Sequence, residues 1–152
     1  MSYATKENVK SLFRDWNDNA DAAFDDADID LQILLSTSII NAKIGTLYQM
    51  PITEVGNPES YAILKQLQMF KVACVADDVI NSYGEADKKP TWCKKAHELM
   101  EALVPSKKKD CMQCEPTMKL PDTEYLGTTT QRGKIRISAT TGTTFKKGAN
   151  NW

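Results

Sequence analysis

The chain is 152 residues long, enough for one ordinary domain and short for two. Apolar residues make up 41% and charged residues 26%, and the formal net charge is −1. A core can therefore form, while no global field points to nucleic acid or to a membrane. No stretch approaches the roughly 20 apolar residues that span a bilayer, and MSYATKENVK lacks the apolar segment of a secretory signal. Four cysteines in this length do not suggest a disulfide-stapled scaffold, so a reducing, cytoplasmic site of synthesis is the expectation.

Thr5 is placed to cap a first helix, with Val9, Leu12, Phe13 and Trp16 following on one face. Residues 17–28 are rich in Asp and Asn and read as a polar turn, with acidic groups where the dipole of the next helix favours them. That second helix is expected over 29–48, with Ile29, Ile33, Ile40, Ile44 and Leu47 among its apolar positions. It is apolar over a wide arc, which predicts burial on more than one side. Pro51 stops it by pushing the preceding residue out of helical geometry.

Pro58 and Glu59 suit a helix start. A third helix is predicted from there to about residue 83, with Leu64, Leu67, Val72, Val75, Val79 and Ile80 inward and Gly84 as its stop. Pro90 and Thr91 open a fourth, whose face carries Trp92, Ala96, Leu99, Met100 and Leu103 before Pro105 ends it. The expected fold is thus mostly α, a small bundle of about four helices, with a body over 1–105 and an extended, partner-ordered arm over 106–152. The last 28 residues hold four of the seven glycines and seven threonines. They cannot build a core of their own. Only Lys134, Ile135, Arg136, Ile137 and Ser138 alternate like a short strand.

Charge is polarised along the chain. Residues 1–30 carry eight acidic groups against three basic ones, whereas 125–152 carry five basic groups and no acidic one. This favours a tail with a separate partner.

The constellation with the most specific chemistry is Cys93 and His97, one helical turn apart, followed by Cys111-x-x-Cys114. These are four ligands of the right type for a closed tetrahedral zinc site, although common zinc modules place the knuckle before the helix. The competing reading makes Cys93 core filler, His97 a surface residue, and Cys111 and Cys114 free thiols or a disulfide. Cys74, amid Val72, Ala73 and Val75, reads as a buried apolar residue. Asn17, Asn19 and Asp21 imitate a calcium loop, but Ala22 stands where Gly is needed and Asp28 replaces the bidentate Glu. The run from Gly127 to Lys134 has the wrong spacing for a phosphate-binding loop. Catalysis has little to work with: no Gly-x-Ser-x-Gly elbow is present, and Asp77 and Asp78 diverge on adjacent helical positions. No enzymatic function is expected.

The order of elements from about Tyr3 to Lys109 resembles the tailed-phage head-to-tail adaptors of the Mu-like head-completion type. The carriers are Tyr3-Ala-Thr, the acidic turn before a long helix, and Ala42-Lys-Ile-Gly-Thr-Leu-Tyr-Gln-Met-Pro-Ile52. The long helix with Ala73 and Ala76 and the start Pro90-Thr-Trp-Cys-Lys-Lys-Ala96 complete the set. The Cys/His set and the Thr/Gly-rich tail depart from the family pattern. The resemblance implies a structural virion protein at the neck that forms a ring, commonly a dodecamer, under the portal protein. It would also meet a tail or stopper protein, with DNA present only as lumen content and no membrane. The arm would reach the portal, with Lys134, Ile135, Arg136 and Ile137 placed to add to a sheet edge. Phe145 and Trp152 would serve as apolar anchors. The alternative from the residues alone is a small zinc-dependent interaction or nucleic-acid-binding module.

Overall fold

Thr5 does cap the first helix. Its side chain accepts from the Asn8 amide and the Asn8 side chain accepts from the Thr5 amide, a reciprocal box that satisfies two otherwise orphaned donors. In the computed structural model, which describes residues 2–14, 16, 23–81, 91–106 and 115–127, this helix is short: α1 spans Lys6–Lys10. Beyond it Leu12 and Phe13 donate to the carbonyls of Val9 and Lys10, a tightened i to i+3 turn that ends the α pattern. The apolar face expected to continue as helix survives as ring packing. Phe13 stacks edge-on against Trp16, and Trp16 against Phe24.

α2 (Asp26–Ile44) opens on a second capping box. Asp25 accepts from the amides of Ala27 and Asp28, and Asp28 accepts from the Asp25 amide. Asp25 and Asp28 thus serve the helix start, which is the use the dipole favours, while Asn17, Asn19 and Asp21 of the calcium-like run lie outside the described residues. α2 ends at Ile44, earlier than expected. Leu47 and Tyr48 follow in a turn, and Tyr48 forms an isolated antiparallel bridge with Tyr125. The Met50–Pro51 peptide bond is cis.

α3 (Pro58–Asn81) is the central helix, packed between α2 and α4 (Thr91–Leu103), with α1 lying across α2 and α3. Two apolar clusters result. One gathers Tyr3, Ile40, Ile44, Tyr48, Leu64, Leu67, Met100, Leu103 and Leu120. The other gathers Val9, Phe24, Ile29, Ile33, Val72 and Ala76. Gln68, Ser36 and Thr37, all buried, form a polar layer on α2 and α3. The Gln68 carbonyl accepts from the amides of Tyr3 (2.8 Å) and Ala4 (2.7 Å), and its amide nitrogen donates to Ile33 O and Thr37 Oγ1. One side chain thus ties the N-terminal segment to two helices.

Residues 115–127, assigned from composition to the arm, are part of the body. Leu120 is 3% exposed within the first cluster. Met118 donates its amide to Ala102 O, Leu126 donates to Leu47 O, and Gln49 donates to Glu124 O. The Asp122 carboxylate accepts from the amides of Glu59 and Ser60 and from the Ser60 hydroxyl, so it caps α3 from a distant part of the chain. Composition hid this docking because it rests on a few residues, chiefly Leu120 and Asp122, set among loop-forming ones. Among the described residues the fold is mostly α, with four helices and no strand. The strand-like 134–138 lies outside the described residues, and Gly127, the last described residue, has a φ of 78°.

Candidate functional site

α2 and α4 flank α3 without closing over it, and this leaves a groove of about 400 Å³. Gln32, Leu35, Ile39 and Lys43 of α2 form one wall, and Cys93, Ala96, His97 and Met100 of α4 form the other. Lys71, Cys74 and Val75 of α3 lie between them. Its cationic and imidazole groups are Lys43, Lys71 and His97, and none of its lining residues is acidic. Lys71 sits partly buried, and the cost of desolvating its charge lowers its pKa, with repulsion from Lys43 adding to the effect. Among the described residues no carboxylate answers it.

One end of the groove is held by a covalent link. Cys74 on α3 and Cys93 on α4 form a disulfide with Cα atoms 4.6 Å apart. Beside it Trp92 stacks on Phe70 at 5.6 Å between centroids, and the Lys95 ammonium lies 4.5 Å from the Trp92 ring centre. This corrects two expectations. Cys74 is a bonded cystine rather than an apolar filler, and Cys93 is not available as a thiolate, so the zinc set Cys93, His97, Cys111, Cys114 loses a ligand. His97 lines the groove instead. Cys111 and Cys114 lie outside the described residues, and among the described residues no group of three metal-ligating side chains converges.

The expected arm contacts, Lys134, Ile135, Arg136, Ile137, Phe145 and Trp152, also fall outside the described residues. No family model matches the chain, and no curated protein or solved structure matches it either.

The groove opens directly onto a second feature. Leu31, Leu34, Leu35 and Ile39 of α2 are exposed, Leu34 by 65%, and Ser38 and Ala42 continue the same side. At about 100° per residue these six fall within an arc of roughly 140°, and between Leu31 and Ala42 the helix carries no charged side chain. The opposite side of α2, through Ile29, Ile33, Ile40 and Ile44, is fully committed to the core. The wide apolar arc was legible in the sequence. Which half of it stays uncovered was not, because that depends on where α3 packs. Lys71 was missed altogether. The signal that could have found it is a lone lysine between Phe70 and Val72 in an apolar stretch of helix.

No helix among the described residues is long and apolar enough to cross a membrane. Isolated exposed leucines are ordinary on a protein surface, and a continuous apolar stripe is less so. The site combines an apolar stripe, a cationic groove beside it, and a disulfide that joins α3 to α4 at the groove.

Proposed function

We propose that this chain is a structural assembly protein, a head-to-tail adaptor of a tailed phage whose copies form a ring on the portal and link capsid to tail. The observation that carries the reading is α2, a helix built to be covered on two sides and covered on one. Side-by-side packing of helical bodies in a ring would supply the second cover. The resemblance of residues 3–109 to adaptors gives that assembly its specific form, and the basic, core-less segment after residue 127 is the part proposed to reach the portal. The portal-facing residues would be Lys134, Ile135, Arg136 and Ile137, with Phe145 and Trp152 as anchors. A virion protein ends its life outside the reducing cytoplasm, where a Cys74–Cys93 disulfide persists. The proposal assigns no catalytic step and no metal.

Native mass spectrometry of the full chain mixed with the portal ring of the same phage tests this. A discrete complex of one portal ring and a full ring of 17.0 kDa chains is expected. A chain that stays monomeric at every concentration, alone and with the portal, would overturn it.

A further inference from the structure

The two edges of the exposed α2 surface differ in charge. Asp30 and Leu34 form one edge, Leu35, Ile39 and Lys43 form the other, and Leu31 lies between them. Leu34 and Ile39 are five residues apart, which places them about 140° apart around the helix axis. The first edge lies at the acidic end of α2, where Asp25, Asp26, Asp28 and Asp30 outnumber Lys6 and Lys10 even though Lys6 pairs with Asp26 and Asp30. Asp30 keeps 61% of its side chain exposed. The second edge runs into the groove that holds Lys43, Lys71 and His97 and no acidic lining residue.

We propose that neighbouring copies of this chain dock head to tail along α2, the Asp30–Leu34 edge of one copy seating in the Lys43–Lys71 groove of the next. The inference rests on the assembly reading above and deepens it by naming the two complementary patches. Leu34 would cover Leu35 and Ile39 of the neighbour, and the carboxylate of Asp30 would meet the lysines. Lys71 is then the group that gains most, because a partly buried ammonium without a counterion is a costly arrangement and a carboxylate brought to it relieves that cost. Because the two patches are different surfaces on well-separated flanks of one helix, the contact is heterologous. Each copy offers both patches, so the contact propagates and closes only as a ring or continues as a filament. A two-fold dimer through a single patch would instead place Asp30 edges near one another or Lys71 grooves near one another.

The test uses two full-length variants, each blocked on one patch at an exposed position. Leu34→Arg puts a cation on the acidic edge, and Ile39→Glu puts an acid at the groove. In sedimentation velocity over a concentration series, wild type is expected to associate and each variant alone to remain at the monomer mass of 17.0 kDa. An equimolar mixture is expected to give a 1:1 pair of twice that mass and nothing larger, since one intact patch survives on each variant. Lys71→Glu in place of Ile39→Glu should give the same result. Wild-type association with no pairing in the mixture would overturn the head-to-tail contact while leaving the assembly reading standing. Variants that associate like wild type would also overturn it. A wild type that never associates, alone or on the portal ring, removes the assembly reading itself.

Discussion

Replacing Gln68 by Met would remove the polar link between the N-terminal segment and the bundle at nearly constant volume. Gln68 is fully buried, and its side-chain carbonyl is the acceptor for two amides, those of Tyr3 and Ala4, which are themselves 5% and 2% exposed. Met offers neither of them an acceptor of comparable strength. Each buried amide left unsatisfied costs about 1–3 kcal/mol, so the pair amounts to roughly 2–6 kcal/mol. Losing the donor to Ile33 O is milder, because that carbonyl is also served by the hydroxyls of Ser36 and Thr37. Against a total stability of about 5–15 kcal/mol for a domain of this kind, this is a large fraction. Urea unfolding followed by circular dichroism would read it as a fall in midpoint at unchanged m-value. Amide exchange at Tyr3 and Ala4 would rise by more than exchange in α4. Gln68→Glu keeps the acceptor and should cost less in protection of those two amides than Gln68→Met. A Gln68→Met loss below about 1 kcal/mol would refute the assignment of Gln68 as the tie, since it would fall under the low end for one orphaned amide.

Three further outcomes follow from the same contacts. Leu120→Ala should cost about 2–5 kcal/mol in urea unfolding, as for a fully packed core leucine; a near-neutral result would show that residues 115–127 do not belong to the body. Hydrogen bonds from Ser60 and the amides of Glu59 and Ser60 outweigh the upward push of desolvation and hold the Asp122 carboxyl below its ordinary value. A depressed carboxyl contributes stability that is present above the unfolded pKa, near ~3.9, and is lost as pH falls through the folded one. Asp122→Asn should therefore lower the urea midpoint at pH 7 and shrink its fall on acidification; an unchanged acid limb would rule this out. Opening the Cys74–Cys93 disulfide, which closes a sequence separation of 19 residues, should cost about 3 kcal/mol by loop entropy. A thermal melt with and without a reductant reads it, and a melting temperature indifferent to reduction in wild type would contradict it.

Much of the helical layout is legible in the sequence, and the reasons are local. Thr5 before a helical run, acidic residues before Ile29, Pro58 and Thr91 at helix starts, and Pro105 at a stop all act within one or two turns of themselves. The early ends of α1 and α2 were not legible, because apolar spacing continues past Lys10 and past Ile44 while the backbone turns to reach partners distant in sequence. Tyr48 leaves α2 to pair with Tyr125, and Phe13 and Trp16 leave α1 to meet Trp92 and Phe24.

The site divides the same way. The sequence by itself determines that α2 is apolar over a wide arc and that the chain is charge-polarised. It also sets Cys93 and His97 one turn apart, a spacing that suits a metal. Only the tertiary structure decides that α3 brings Cys74 to Cys93, that His97 faces Lys43 and Lys71 across a groove, and that Asp122 caps a helix 62 residues away from it. Periodicity fixes which residues share a face of one helix, whereas the partner of that face is set by how whole helices fit together. That fit is settled by the summed packing of many side chains, none of which carries the information alone.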